Sequence, residues 1–427
     1  MKRRNLLLSA AVSAPLLALG AACSSSTSRG GGSGDTITMW THNGGNAEEL
    51  AVVEKVVEDF NAQSEKQIAI ESFPQASYND AIVAAAASGD LPDILDLDGP
   101  IMPNWAWSGY LAPLEMDPAV IDAMLPTTVG RFQDQIYSVG PYDTAMAVLA
   151  RKSALEAAAV RIPEIDTPWT LEEFNDAMAA LSELPDYEFG IDLGVSETAE
   201  WWSYAYSPML QSFGGDLIDR DTYLSADGVL NGPEGIEFGA WFQSVFEKGW
   251  ASKTPTTGGA DFGQGVVPMC WAGGWQVLTA QEAHGADDVL ILPPPDFGTG
   301  PRTGAGSWQW GISADSPHIS EASEFLSFLM QDEYLVAYSD ATGNFPTTAS
   351  AVEKSENYRP GGALEPIYEV STKYAQVRPE TPAYPVISSV FDKAMHDIMA
   401  GADVQESLDQ AVSDIDANIA SNDGYGF

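Results

Sequence analysis

The stretch from Thr36 to Leu97 alternates strand and helix signals, and that order admits few folds. Thr36-Ile37-Thr38-Met39-Trp40 reads as a short apolar strand closed by the turn-forming Asn43-Gly44-Gly45. Leu50, Val53, Val57 and Phe60 recur at helical spacing, and Ile68 and Ile70 mark a second strand. Tyr78 to Ser88 is an alanine-rich helix stopped by Gly89, and Asp93-Ile94-Leu95-Asp96-Leu97 follows Pro92 as a third strand. Strand–helix–strand units in this sequence imply parallel strands with right-handed crossovers. Ligands on such open sheets bind beyond the carboxyl ends of the strands. Thr41-His42-Asn43-Gly44 and Asp98-Gly99-Pro100 therefore point at a crevice, and His42 and Asn43 are binding candidates by position alone.

The N-terminal end carries a different kind of information. Lys2-Arg3-Arg4, an apolar run from Leu6 to Leu19, and Gly20-Ala21-Ala22-Cys23 form the pattern of an export signal. The run is short for a membrane span. Arg3-Arg4 leaves both general secretion and twin-arginine export open. Residues 24–34 are mainly Ser and Gly, a composition that behaves as flexible coil. The expected division is a signal over 1–22 and a tether over 23–35. Small residues ahead of a cysteine and a soft linker resemble a bacterial lipoprotein signal, in which Cys23 is acylated. Gly20 stands where that pattern usually has Leu. The plainer alternative is a secreted chain cut near Ala22 with Cys23 free.

About four hundred residues then remain, too many for one ordinary core, so two domains are expected. Only Cys270 remains besides Cys23, so an acylated Cys23 allows no intramolecular disulfide. Removing Lys2, Arg3 and Arg4 from 19 basic residues leaves 16 against 61 acidic ones, a net charge of −45. Such a field repels nucleic acid and anionic lipid surfaces, which argues against binding either as a primary role. It attracts cations or basic partners, or it is simply a solvated surface suited to salt. His42, His284, His318 and His396 have no metal-ligand spacing, and neither a metal nor another cofactor is expected.

Farther along, Gln135 to Tyr142 reads as strand and turn, Phe262 to Met269 as a strand with flexible flanks, and Trp308 to Ile312 as another strand. Thr170 and Glu173 form a capping box opening a helix. Ala322, Phe325, Phe328 and Leu329 share one face of a later helix.

An ordered set of segments now resembles the extracellular solute-binding lipoproteins of ABC importers, in particular those that capture sugars. The segments are Thr36 to Thr41; Ala87-Ser88-Gly89-Asp90-Leu91-Pro92-Asp93-Ile94; Gly109-Tyr110-Leu111-Ala112-Pro113-Leu114; and Tyr137 to Pro141. Pro168 to Phe174, Val267-Pro268-Met269 with Gly273-Gly274-Trp275, Phe325 to Leu329, and Gly343-Asn344-Phe345-Pro346-Thr347 continue it in order. Ala150-Arg151-Lys152 departs from the family's usual Tyr-Asn-Lys, and Gly265-Val266 from its Gly-Lys.

The resemblance implies an α/β, two-lobed periplasmic-binding-protein-like fold with a hinge and an interlobe ligand cleft. One lobe would hold residues 36–142 and a returning piece over 268–315. The other would hold 148–262 and 330–427. Hinges would lie near 143–147, 263–267 and 316–329. It further implies a monomer that delivers a carbohydrate to membrane permease subunits from an anchor at Cys23.

A sugar ring needs flat aromatic surfaces beneath it and carboxylate or amide acceptors around its hydroxyl rim. The resemblance puts Trp271 and Gly273 in the loop leaving a strand over Val266 to Cys270, Trp308 at a second returning strand, Asp98, Tyr142 and Asp143 at cleft-facing strand ends, and Arg378 on a late loop of the second lobe. Trp275 and Trp202 are further candidates, each with a core-packing alternative. Asp98 and Asp143 have turn and cap duties as theirs, and Arg378 an internal ion pair. Two other functions fit the composition. One is capture of a polyamine or quaternary ammonium compound by the same fold, and the other is a secreted carbohydrate-active enzyme with paired carboxylates.

Overall fold

The computed structural model describes residues 36–198 and 200–427. The export signal, Cys23 and the tether lie outside the described residues. Thr36–Thr41 pairs in parallel with Gln67–Ser72 on one side and with Ile94–Asp98 on the other. Helices Ala47–Asn61 and Gln75–Ser88 make the crossovers, and the second ends where Gly89 turns left-handed at φ 73°.

Side chains alternate across this sheet. Ile37, Met39 and Ile94 join a core with Val53, Val57 and Phe60 of the first helix and with Phe325, Leu326 and Leu329. Leu95 and Leu97 face the other way, toward Tyr78, Ile82 and Trp105. Trp308–Ser313 adds itself antiparallel to Ile94–Asp98, with Gln135–Val139 and Val129–Phe132 beyond it.

The second lobe is built on three antiparallel strands, with Met146–Arg151 between Val289–Leu292 and Met269–Gly273. Its central strand is apolar on both faces. Met146, Val148 and Ala150 meet the aromatic core of helices Leu171–Ser182, Trp201–Phe213 and Pro233–Glu247, together with Tyr384–Ala400 and Val404–Ser421. Ala147 and Leu149 meet Phe262, Val277 and Ile367. The capping box at Thr170 and Glu173 is formed.

Three chain segments cross between the lobes. Tyr142–Asp143 pairs with Phe345–Pro346, and Ala305-Gly306-Ser307 runs straight into Trp308. The lobes therefore divide the chain differently from the sequence expectation. Met269–Gly273 belongs to the second lobe, because its ladder partner is Met146–Arg151, and return to the first lobe waits until about Ser307. Ile319–Leu329 and Asp332–Thr342 pack in the first-lobe core and cannot be hinge or second lobe. The expected hinge at 263–267 belongs to the second lobe, since Val267 is buried there in one cluster with Phe262 and Cys270. The expected strand there begins only at Met269, since Ala260–Gly263 is a helical turn and Gly265 adopts φ 75°.

Candidate functional site

First-lobe residues reach the cleft because the carboxyl end of Ile94–Asp98 and the start of Trp308–Ser313 share one sheet edge, with Asp98 directly opposite Trp308. His42 leaves the neighbouring strand at the same edge. Its imidazole lies flat on the Trp308 indole, with ring centres 3.6 Å apart and planes 13° apart.

The second lobe supplies the opposing wall. Trp201 and Tyr204, one helical turn apart, both face Trp275, each with ring centres 6.4 Å away. Trp275 lies directly on Gly273, where a β-carbon would come within 2.0 Å of the indole. Gly273 is thus a place where only a missing side chain admits the ring.

Arg378 joins the two walls. Its guanidinium grips Asp98 with two bonds, Nη1 to Oδ2 at 3.0 Å and Nη2 to Oδ1 at 2.8 Å, and reaches Glu200 at 3.2 Å. It sits 5.2 Å from the Tyr204 ring centre. Glu200 also accepts from the Tyr384 hydroxyl and from Ser388 Oγ. Burial opposes the charge on Arg378, but Asp98, Tyr384 and Glu200 outweigh it and keep the guanidinium protonated. Burial raises the Glu200 carboxyl, with Arg378 pulling against that rise. The lobes also touch at the rim. Asn104 Nδ2 donates to Pro382 O at 2.7 Å, and Trp107 meets Tyr425 edge to face at 4.8 Å.

Of the sequence candidates, Asp98, Arg378, Trp308, Trp275, Gly273 and His42 gather here. Five others do not. Trp271 is inside the second-lobe core, its indole N–H donating to Ala205 O at 2.9 Å. Alternation along Met269–Gly273 sends it there. Trp202 is wholly buried against Tyr206 and Phe242, so its neighbour Trp201 is the cleft residue of the pair.

Tyr142 packs in the first-lobe core and donates to Glu49 at 2.9 Å. Asp143 ties the crossings, accepting from Thr127 Oγ1, Thr144 N and Gly306 N. Burial raises its carboxyl to about 6. Asn43 is buried in a turn, its side chain on His42 and Thr41. Trp201, Tyr204 and Glu200 were missed. Glu200 opening a helix, with aromatic residues at 201 and 204 on one face, is the signal that would have found them. Cys270 is buried, and burial pushes its thiol up, so it is inert. Among the described residues no His, Cys, Asp and Glu group could hold a metal, and no helix is long and apolar enough to cross a membrane.

A cleft between two α/β lobes, lined by aromatic rings and spanned by three crossings, defines a protein that closes on a ligand. The family model for bacterial extracellular solute-binding proteins matches residues 55–365, and the chain belongs to that family. It is 25% identical over 325 residues to an uncharacterized lipoprotein in the oleD 5′ region of Streptomyces antibioticus, covering 72% of this chain and 69% of the relative. A multiple sugar-binding protein of Streptococcus mutans is 21% identical over 72% of this chain and 74% of its own length. Among solved structures, the GacH receptor of Streptomyces glaucescens, determined unliganded and with acarbose, superposes with TM-score 0.74 at 21% identity. That match covers 92% of this chain and 98% of the receptor. A Thermotoga lettingae ABC transporter solute-binding protein bound to α-D-tagatose also reaches 0.74 at 21% identity, over 90% and 99% of the two chains.

Proposed function

We propose that this protein captures a carbohydrate in the interlobe cleft and hands it, without chemical change, to the membrane subunits of an ABC importer. The observation that carries the reading is the pairing of opposed aromatic walls, Trp308 on one lobe and Trp201, Tyr204 and Trp275 on the other, with polar groups between them. Ring faces stack on apolar sugar faces, while Asp98, Glu200 and Arg378 supply acceptors and donors for hydroxyls. The sugar-named relative and the sugar-bound neighbours support the ligand class. Anchoring through an acylated Cys23 and action as a monomer complete the proposal.

The cation alternative is disfavoured by the same geometry. Both cleft carboxylates already face a guanidinium, so the site is not a vacant anionic cage. Glycoside cleavage is disfavoured for a related reason: cleavage needs a separate acid and base on either side of the bond, and here one guanidinium, Arg378, pairs with both cleft carboxylates. Calorimetric titration against maltose, maltotriose, acarbose and tagatose, with spermidine and choline as comparators, tests the reading. Sugar binding without release of product is expected. Tight amine binding with no sugar response, or cleavage of an oligosaccharide, would overturn it.

A further inference from the structure

His42 is buried and lies flat against one face of Trp308, so its ring cannot itself stack on a ligand. Its bonds point inward. Nδ1 lies 2.7 Å from Asp96 Oδ2, the backbone N–H of His42 donates to the same oxygen at 3.2 Å, and Nε2 faces the Asn43 amide at 3.2 Å. An Asn side chain can meet either state of the ring, giving its N–H to the neutral imidazole or its oxygen to the protonated one.

We propose that His42 is the positioning residue for Trp308: oriented by Asp96, the imidazole fixes the indole as a rigid platform whose other face receives the ligand. This rests on the cleft reading given above. The site is built for a charged imidazole. Asp96 and Asp98 approach from the third strand, Glu49 from the first helix, the Tyr78 ring edge from the second helix at 6.4 Å, and Tyr338 stands behind Glu49 and Asp96. Asp98 is itself bound to Arg378. Burial works against the imidazolium, yet Asp96, Glu49 and Asp98 more than offset it and raise His42 above its ordinary value. An imidazolium face to face with indole adds cation–π attraction to the stack. The stack is therefore firmest below the raised value and loosens as pH climbs through it.

Asp96 permits an isosteric test. Its Oδ2 takes the bonds from Thr41 and His42, while Oδ1 has no hydrogen-bond partner among the described residues. Asp96→Asn can therefore keep the acceptor and lose only the charge. The first measurement needs no ligand: tryptophan fluorescence between pH 5 and 9, taken as the difference between the parent protein and Trp308→Phe. A single transition is expected, as protonated His42 quenches the indole. It should move to lower pH in Asp96→Asn and vanish in His42→Gln. With maltotriose as probe, Trp308→Ala should weaken binding at least tenfold, His42→Gln severalfold, and the parent's affinity should decline across the same pH span as its fluorescence changes. No Trp308-dependent transition, or one that survives His42→Gln, overturns the positioning role. Affinity unchanged in Trp308→Ala, alongside a transition that follows His42, removes instead the cleft reading on which the role depends.

Discussion

Trp271 and Trp275 stand four residues apart and do opposite work. Trp271 is enclosed by the second-lobe core with its N–H satisfied, whereas Trp275 is half-exposed against the cleft. Replacing Trp271 by Ala removes a buried indole and the hydrogen bond that it gives to the Ala205 carbonyl. A loss of about 3–5 kcal/mol in urea-unfolding stability is expected, without a specific binding defect in the folded fraction. Asp143 provides a second residue-scale test. Its folded value of about 6 lies above that of an unfolded Asp, so the neutral form favours folding. That contribution is fully present below about pH 4 and is lost as pH rises through 6. Asp143→Asn retains an acceptor for Thr144 and Gly306. Its thermal stability relative to the parent should improve from pH 4 to pH 7, by at most about 3 kcal/mol.

At the scale of elements, the glycine pair after Met269–Gly273 sets where the aromatic wall stands. Gly273 has an ordinary extended backbone, so Gly273→Ala brings no torsional strain, only the β-carbon that displaces Trp275. About tenfold weaker sugar binding with unchanged melting temperature is expected, measured by titration and calorimetric scanning.

The first lobe's strands and helices were legible because each crossover is local: Thr36–Thr41 meets Gln67–Ser72 across a single helix and Ile94–Asp98 across two, all within one continuous stretch. Allocation of Met269–Gly273 was not, since its partner strand is more than a hundred residues away and the apolar run suits either lobe. The helix Trp201–Phe213 shows a second limit. Nearly every residue in it is buried, so periodicity could not tell Trp201 from Trp202. Asp98 was found by its position after the third strand and Arg378 through the family resemblance. That the two bind each other was invisible, because 280 residues separate them.

Over the whole molecule, the contacts between lobes include the Asn104 to Pro382 hydrogen bond, an ion pair and aromatic rings. The buried Asp98–Arg378 pair lies at the centre, and aromatic contacts close the rim, Trp107 on Tyr425 and Phe132 toward Phe427. Edge-to-face contacts contribute about 1 kcal/mol each, which is about fivefold in an open–closed equilibrium. Trp107→Ala should therefore enlarge the radius of gyration of the unliganded protein in small-angle scattering and weaken ligand binding severalfold. An unchanged scattering profile would mean the rim contact plays no part in closure.

The three crossings are fastened to one another. Gly306 N–H binds Asp143, Met146 and Thr303 exchange two bonds, Thr347 N–H binds Pro141 O, and Thr128 meets Thr347. Straps tied together in this way turn as an axle. The angle between the lobes becomes a single mechanical coordinate, with little freedom to twist or shear. A membrane partner touching only one rim of the cleft would thereby learn the state of the whole of it.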